Sequence, residues 1–332
     1  MGSLKGVVLA FLIGLSACTP MEGKKSLDSF CKEQIIAIHP DQQKIGQIWG
    51  INPDGSNLEQ LSTERDVQKA SPRIGPTGEI AFVGLSLEGY NLSGDLYVLK
   101  KDRSERQITH TGNILRRGLA WDNLGGRIFA IQYQENIKPD FPGGKPPEKG
   151  HHPMPDGLAN RLVEINVSNG AITPLVLVHM PGNLGDFYNG EVYYSAGVWC
   201  YSDIRRINPE TKQFSSVADR KLGDNNVRVS HDGSFIVFSS QPEDDHSCGR
   251  SWFSVAYKKG NEPAEVLFKP DFPYFAGNPI ISPDGKKVLF ATDEPNSSMH
   301  KIIDLDTREI KDLSIERADD NMDWGVACLT PK

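Results

Sequence analysis

A short turn sequence recurs along the chain and constrains its fold more than any other feature. The complete form, Ser-Pro-Asp-Gly, lies at 282–285, and variants of it lie at 75–78, 122–125, 188–190 and 230–233. A run of β-branched and aromatic residues follows each copy, as in Val288 to Phe290. Proline sets φ, aspartate bonds to its own backbone and glycine supplies a positive φ, which together specify a tight hairpin. The repeat therefore predicts a chain built of short, regularly spaced β-strands.

A second turn alternates with the first. It reads Asn-Pro-Asp-Gly at 52–55 and joins the predicted strand segments 48–51 and 58–61. Each repeat then consists of strand, turn, strand, loop, strand, turn and strand, about every 45 residues, and four strands at this period indicate a β-propeller. The 32 glycines and 22 prolines fit a chain with many turns, and no useful helical periodicity follows the N-terminal segment. The expected fold class is all-β.

The repeat sequences are similar to those of a known family. The segments that carry the similarity are QIWGINPDGSNLEQLS, ASPRIGPTGEIAFVG and ISPDGKKVLFATD, which resemble the propeller repeat of the TolB-like family. The resemblance covers residues 34–328 and implies the propeller architecture. We expect no α/β domain before the propeller, in contrast to TolB itself, and no contact residue is carried over from that protein.

Counting strands predicts how the propeller closes. The strand before each Ser-Pro-Asp-Gly-type turn is taken as the innermost strand of a blade, and these strands lie near 71–74, 119–121, 185–187, 227–229, 279–282 and 322–329. The sixth has no following partners, whereas three unassigned strands lie near 34–38, 47–51 and 58–61. We therefore expect a six-bladed propeller whose last blade combines three N-terminal strands with one C-terminal strand, which leaves no free sheet edge at the seam.

The same strand assignment pairs four of the five cysteines. Cys31 lies just before the first strand, and Cys328 lies at the end of the strand expected beside it. A Cys31–Cys328 disulfide would take the place of the hairpin turn that joins these two strands in other blades. Cys200 and Cys248 lie in equivalent loops of neighbouring blades and are expected to form a second bridge. The alternative is buried free thiols, although an exported domain favours pairing.

The N-terminal segment predicts export and attachment to lipid. Lys5 precedes an apolar run that starts at Gly6 and ends in Leu-Ser-Ala-Cys at 15–18. The run is too short to span a bilayer as a stable helix, which favours a cleaved signal. Its ending resembles the lipobox of bacterial lipoproteins, and this resemblance implies that Cys18 is acylated and becomes the mature N-terminus. The alternative is a secretory signal with an unmodified cysteine.

These observations predict a simple domain organisation. We expect a signal peptide at 1–17, a lipidated cysteine and polar tether at 18–32, and the propeller at 33–332. Thr19 rather than aspartate follows the cysteine, which in Gram-negative lipoproteins implies an outer-membrane protein that faces the periplasm. The formal net charge of -7 argues against a nucleic-acid partner.

The longest predicted loop, residues 134–160, is the first candidate for a functional element. It carries the adjacent pair His151 and His152 together with nearby carboxylates. Imidazole and carboxylate groups suit divalent ions, so this loop is one candidate metal site. The alternative is a solvated, proline-rich loop.

Other loops on the same predicted face supply further candidates. The second candidate metal site is an acidic segment, and two tryptophans from the same loops are candidates for a ligand-stacking rim: Asp244, Asp245, His246, Trp199 and Trp252. The acidic segment can equally be a solvated loop, and the aromatic rings can equally pack between blades. Together with the two histidines, these residues define the predicted binding face.

The sequence favours a binding protein over a catalyst. It contains no Gly-x-Ser-x-Gly, phosphate-binding Gly-Lys-Ser/Thr, His-Glu-x-x-His or Cys-x-x-Cys motif. We therefore expect an envelope-anchored module that binds a protein or small ligand, with no catalytic residue and no cofactor assigned. The alternative is a metal-dependent propeller enzyme of the lactonase or polysaccharide lyase type.

Overall fold

The computed structural model describes twelve stretches of the chain. These are residues 31–41, 43, 45–87, 92–135, 158–178, 183–196, 202–218, 223–241, 253–271, 274–293, 300–313 and 322–329. The regular secondary structure in them consists of β-strands, in agreement with the expected all-β class. None of these residues belongs to a helix of the length and apolar character needed to cross a membrane.

The described residues form 24 strands, which follow the repeat found in the sequence. The N-terminal strands are β1 (Cys31–Pro40), β2 (Gly46–Ile51) and β3 (Glu59–Gln60). The next eight are β4 (Gln68–Ile74), β5 (Ile80–Leu85), β6 (Ser93–Leu99), β7 (Glu105–Gln107), β8 (Ile114–Trp121), β9 (Arg127–Glu135), β10 (Leu158–Asn166) and β11 (Ile172–Val178). Then follow β12 (Leu184–Tyr188), β13 (Glu191–Ala196), β14 (Asp203–Ile207), β15 (Phe214–Ala218), β16 (Asp224–Val229), β17 (Phe235–Ser240), β18 (Ser254–Lys259) and β19 (Glu265–Phe268). The last five are β20 (Ala276–Ile281), β21 (Lys287–Thr292), β22 (His300–Asp304), β23 (Ile310–Leu313) and β24 (Met322–Cys328).

The strands assemble into antiparallel sheets in a propeller-like arrangement. Four sheets have four strands each, in the orders β24-β1-β2-β3, β12-β13-β14-β15, β16-β17-β18-β19 and β20-β21-β22-β23. The remaining eight strands, β4 to β11, form one continuous sheet. The expectation of six separate blades is therefore wrong for this part of the chain, where two repeats share a sheet.

A short ladder between β6 and β8 joins these two repeats. Ser93 is opposite Leu115, and Gly94 is opposite Ile114. Gly94 has no side chain to hold neighbouring strands apart, and a Cβ added there would lie 2.0 Å from the carbonyl oxygen of Gly84 in β5. Glycine at this position therefore lets β6 lie close to β5 at the point where it also pairs with β8.

The two ends of the described chain meet in one sheet. β1 pairs with β2 on one side and with β24 on the other, and Cys31 is directly opposite Cys328 in the β1–β24 ladder. The two cysteines form a disulfide that spans 297 positions of sequence. The predicted Cys31–Cys328 bridge is confirmed.

The predicted turn chemistry is present at the hairpins. In the turn at 282–285, the Ser282 hydroxyl accepts a hydrogen bond from the Lys287 amide at 2.9 Å, and the Asp284 carboxylate accepts one from the Lys286 amide at 3.1 Å. Gly285 has a φ of 70°. These local bonds stabilise the turn without help from the rest of the fold, which is why the turn residues could be recognised in the sequence.

The core lies between the faces of neighbouring sheets. Between the sheet of β1 and the sheet of β20, for example, Ile35 and Ile51 pack against Ile280 and Leu289, and all four side chains are buried. A sheet in this arrangement has two faces to cover, and its neighbours cover both. One strand of each repeat is thereby directed toward a shared centre.

Candidate binding site in the central cavity

A cavity of about 380 Å³ lies where six strands meet. The strands are β4, β8, β12, β16, β20 and β24, which occupy the innermost position predicted for them. The described residues that line the cavity are Ser71, Pro72, Arg73, Leu92, Arg116, Arg117, Gly118, Asn183, Leu184, Asn226, Val227, Arg228, Asn278, Pro279 and Met322. Polar and positively charged groups thus predominate over apolar ones in this wall.

Backbone irregularities turn polar side chains toward this cavity. The pairing register shifts within β4, β8, β12, β16 and β20, each time against the second strand of the same repeat. At these shifts Ser71, Asn226 and Asn278 adopt left-handed φ values of 50°, 53° and 51°. Asparagine tolerates this conformation better than most residues because its side chain can bond locally. A shift of this kind re-aims the side chains around it, and here it directs them to the wall.

Three asparagines form a chain of amide hydrogen bonds along the wall. Asn183 Nδ2 donates to Asn226 Oδ1 at 2.5 Å, and Asn226 Nδ2 donates to Asn278 Oδ1 at 2.6 Å. Serine hydroxyls fix the backbone at both ends of this chain of bonds. The backbone N–H of Asn183 donates to Ser195 Oγ, and the backbone N–H of Asn278 donates to Ser239 Oγ. Because each amide orients the next, these bonds set a fixed rim for the cavity.

Arg73 extends across the centre of the assembly. Its Nε donates to the carbonyl oxygen of Leu119 in β8 at 2.6 Å, and its Nη2 donates to that of Gly185 in β12 at 3.1 Å. Its Nη1 donates to Asp323 Oδ1 in β24 at 3.1 Å. One guanidinium therefore ties β4 to three other innermost strands.

Two aspartates repeat the same contact at different positions around the cavity. Asp323 accepts a hydrogen bond from the Ile74 amide at 2.8 Å through the oxygen that Arg73 does not use. Asp186 likewise accepts one from the Val229 amide at 2.8 Å, while its other oxygen pairs with Arg228 Nη1 at 3.3 Å. Each carboxylate thus fixes an arginine and links its own strand to another innermost strand.

Burial governs the protonation of these carboxylates. It raises the pKa of Asp186 to about 6, with Asp323 adding to the effect and Arg73 and the Val229 amide opposing it. It also raises the pKa of Asp323 above its ordinary value, against the opposing charge of Arg73. The charge of this network therefore changes in mildly acidic solution.

The predicted binding face lies outside the described residues. Its residues are His151, His152, Trp199, Asp244, Asp245, His246 and Trp252. The predicted lipidation site, Cys18, and the predicted disulfide cysteines Cys200 and Cys248 also lie outside the described residues. The second disulfide, Cys200–Cys248, consequently stays a prediction. Within the described part of the chain, no group of three or more His, Cys, Asp or Glu side chains is arranged to hold a metal ion.

The residues of the central cavity were not among the sites predicted from the sequence, although a signal for them exists. Ser71, Asn226 and Asn278 each lie four positions before the first residue of a Ser-Pro-Asp-Gly-type turn. Two positions further on, Arg73 and Arg228 place an arginine at the same point in two of these strands. Polar residues at fixed places in several innermost strands would have indicated a polar centre.

Comparison with solved structures supports the fold. TolB from Acinetobacter baumannii matches with a TM-score of 0.66 at 15% identity, over 90% of this chain and 67% of that one. A chain from the crystal structure of a nidogen/laminin complex matches with a TM-score of 0.61 at 11% identity, over 89% of this chain and 98% of that one. An oligogalacturonate lyase in complex with manganese matches with a TM-score of 0.55 at 12% identity, over 82% and 72% of the two chains. The fold is a TolB-like β-propeller.

No family model matches the sequence, and the curated proteins gave no match. At identities of 11–15% the structural likeness describes the architecture alone.

Proposed function

We propose that the protein is a binding module of the bacterial cell envelope and that its ligand occupies the central cavity. The observation that carries the proposal is the convergence of six innermost strands on one cavity of about 380 Å³. That volume is in the range of small-molecule sites, and walls built from sheet strands hold their polar groups in fixed positions.

The side chains of the cavity favour binding over catalysis. The described lining residues include arginines, asparagines and a serine, but no histidine, cysteine, lysine or carboxylate. Arginine stays protonated in proteins and asparagine does not titrate, so neither can act as a general base. These groups can recognise a ligand by charge and hydrogen bonding.

The envelope location rests on two separate features. The Cys31–Cys328 disulfide favours an oxidising compartment, and the N-terminal segment resembles that of a lipoprotein with acylated Cys18. We infer an outer-membrane lipoprotein that faces the periplasm. Cys18→Ser should leave an unprocessed or soluble precursor, and unchanged partitioning into detergent would contradict the inferred anchor.

A matched pair of leucines offers a test of the cavity. Leu92 lines the cavity and is 48% exposed, whereas Leu124 is 87% exposed and does not line it. The full chain in detergent would be screened against small metabolites by thermal shift. We expect at least one stabilising compound for the wild type and for Leu124→Trp, but not for Leu92→Trp, whose indole would obstruct the cavity. Retained binding by Leu92→Trp, or no binding at all, would refute the assignment.

A protein partner is the second form of ligand that we propose, with residues 134–160 as the adaptable element of its docking face. Loops of this kind lose conformational freedom on binding, so their removal changes affinity without unfolding the scaffold. Deleting the loop should weaken capture of the partner from envelope extracts. Undiminished capture would show that docking occurs elsewhere.

The alternative function is a metal-dependent propeller enzyme. It requires an ion held by histidine or carboxylate groups, for which His151, His152 and the segment 244–246 are the candidates. Metal analysis of the purified chain separates the two functions, because one bound ion per chain would favour the enzyme.

A further inference from the structure

We propose that a cleft between two neighbouring sheets receives the phenol ring of a tyrosine residue from a protein partner. The cleft lies between the sheet of β16–β19 and the sheet of β20–β23 and has a volume of about 360 Å³. It shares none of its described lining residues with the central cavity. The inference therefore goes beyond the proposed function and does not depend on a ligand in that cavity.

The preceding junction between sheets shows how such a cleft is filled. There the partly buried ring of Tyr188, the last residue of β12, lies against Gly233 in the turn after β16. A Cβ added to Gly233 would clash with this ring. The Tyr188 hydroxyl donates a hydrogen bond to the carbonyl oxygen of Asp232 at 2.7 Å. A turn glycine thus makes room for a phenol ring, and the carbonyl group beside it accepts the hydroxyl proton.

The turn at 282–285, which borders the cleft, has the same internal structure as the turn that Tyr188 covers. Ser282 Oγ donates to Asp284 Oδ1 at 2.6 Å, and Ser230 Oγ donates to Asp232 Oδ1 at 2.8 Å in the other turn. In both turns the glycine N–H donates to the carbonyl oxygen of the serine, and the glycine φ is 70°. The Asp284 carbonyl group therefore occupies the position in its turn that the Asp232 carbonyl group occupies.

Within the described part of the chain, no ring fills this second junction. The heavy atom nearest to a Cβ built on Gly285 is Cε1 of Phe235, at 4.0 Å. The carbonyl oxygen of Asp284 accepts no hydrogen bond from a described residue. The two junctions differ because β12 ends in Tyr188 whereas β16 ends in Val229. The site for a phenol ring is present, but the strand that would supply the ring lacks it.

The walls of the cleft favour a tyrosine residue of a protein over a free phenol. Phe235 and Tyr257, with ring centres 5.0 Å apart, and Leu305 form its apolar part and belong to the core contact between the two sheets. Lys259 and Asp306 are exposed and border it, one on each sheet. An apolar centre within a charged rim is typical of protein interfaces, where tyrosine is a frequent anchor residue. The rim residues can contact the chain on either side of the inserted tyrosine.

N-acetyltyrosine amide is a suitable probe because it carries the phenol ring and peptide groups of a tyrosine residue without a net charge. Its binding to the full chain in detergent would be measured by saturation-transfer NMR, which detects weak complexes. We expect it to bind about threefold to tenfold more tightly than N-acetylphenylalanine amide, the effect of one neutral hydrogen bond.

Variants with an added indole ring test the location. Lys259→Trp and Asp306→Trp should abolish binding because each ring would obstruct the cleft, and thermal unfolding would verify that both variants are folded. Leu124→Trp is the matched control, since Leu124 is 87% exposed and does not line the cleft. Leu92→Trp should also leave binding unchanged, and its loss in that variant would place the probe in the central cavity instead.

Three further results would overturn the inference. The first is the absence of binding to the wild type, and the second is undiminished binding by both obstructed variants. Equal affinities for the two amides would refute the contact between the phenol hydroxyl and the Asp284 carbonyl group. As a separate arm, p-cresol that binds as tightly as N-acetyltyrosine amide would assign the cleft to a small phenol and not to a protein partner.

Discussion

Lys69 and Glu105 form an ion pair that is almost completely withdrawn from water. Lys69 Nζ lies 3.3 Å from Glu105 Oε2, and the two side chains are 0% and 1% exposed. The ammonium group also donates to the carbonyl oxygen of Glu64 at 2.5 Å and lies 5.6 Å from the centre of the Phe82 ring. Phe82 belongs to the apolar cluster between the sheet of β1 and the eight-stranded sheet. The pair is therefore part of the contact between two sheets.

Removing one partner of this pair should destabilise the protein strongly. Lys69→Met leaves the Glu105 carboxyl buried without its cation, and we expect a loss of about 3–5 kcal/mol in the free energy of unfolding. The double variant Lys69→Met/Glu105→Leu should return to within about 1 kcal/mol of the wild type, because no charge stays buried. Denaturant titrations measure the free energy of unfolding of the single and the double variant. Asp312→Asn, which breaks the more exposed Lys301–Asp312 pair, is the control, with an expected loss below about 1 kcal/mol.

The contribution of Glu105 to the stability of the protein should fall as pH rises toward neutrality. Burial raises the pKa of Glu105 from 4.5 to about 7, with Glu64 adding to the effect and Lys69 opposing it. The folded chain therefore holds a proton that the unfolded chain has released between these values, and this contribution to stability is lost as pH rises through about 7. Thermal unfolding between about pH 5 and 7.5, which covers most of the interval between the two pKa values, would measure the slope. Glu105→Gln should have a flatter profile, and an unchanged slope would contradict this assignment.

Two substitutions at Asn226 separate its hydrogen bonds from its backbone conformation. Asn226→Gly removes the bonds to Asn183 and Asn278 but tolerates the φ of 53°, so we expect a loss of about 1–2 kcal/mol. Asn226→Ala loses the same bonds and adds about 1 kcal/mol for a left-handed alanine. In chemical denaturation, the free energy of unfolding should be highest for the wild type, lower for Asn226→Gly and lowest for Asn226→Ala. Equal stability of the two variants would argue against a strained position.

Breaking the Cys31–Cys328 bridge should lower the free energy of unfolding by up to about 5 kcal/mol, because the closed loop includes most of the chain. The variant for this test is Cys31→Ser/Cys328→Ser, measured beside the wild type with and without reductant. Reductant should destabilise the wild type more than the variant. The same response in both would assign the effect to other cysteines.

The sequence and the structure agree where local chemistry decides the outcome. The hydrogen bonds of Ser282 and Asp284 lie within one turn, so the turn and its flanking strands were predictable from the residues themselves. The Cys31–Cys328 bridge was predictable because an assignment of strands placed the two residues opposite each other.

The cavity and the joined sheet depend on contacts between distant segments. The sequence shows that Asn226 recurs at a fixed place before the turn but not that its backbone is left-handed, because the shift in register exists only after β16 has paired with β17. The joining of β6 to β8 rests on two residue pairs, Ser93 with Leu115 and Gly94 with Ile114, and no local turn in the sequence marks them. Lysine is a residue type that usually lies at the surface, so the sequence alone predicts an exposed Lys69. Its burial follows from the packing of two sheets.

The β1–β24 ladder has a consequence for the order in which the protein can be completed. Synthesis proceeds from the N-terminus, so β1 is made long before its partner β24. Throughout that interval one edge of β1 has unsatisfied backbone groups, which makes it a place where chains can pair wrongly. Contacts of such long sequence separation also form slowly. That edge therefore stays open until β24 has been made, and a chain that loses β24 keeps it open permanently.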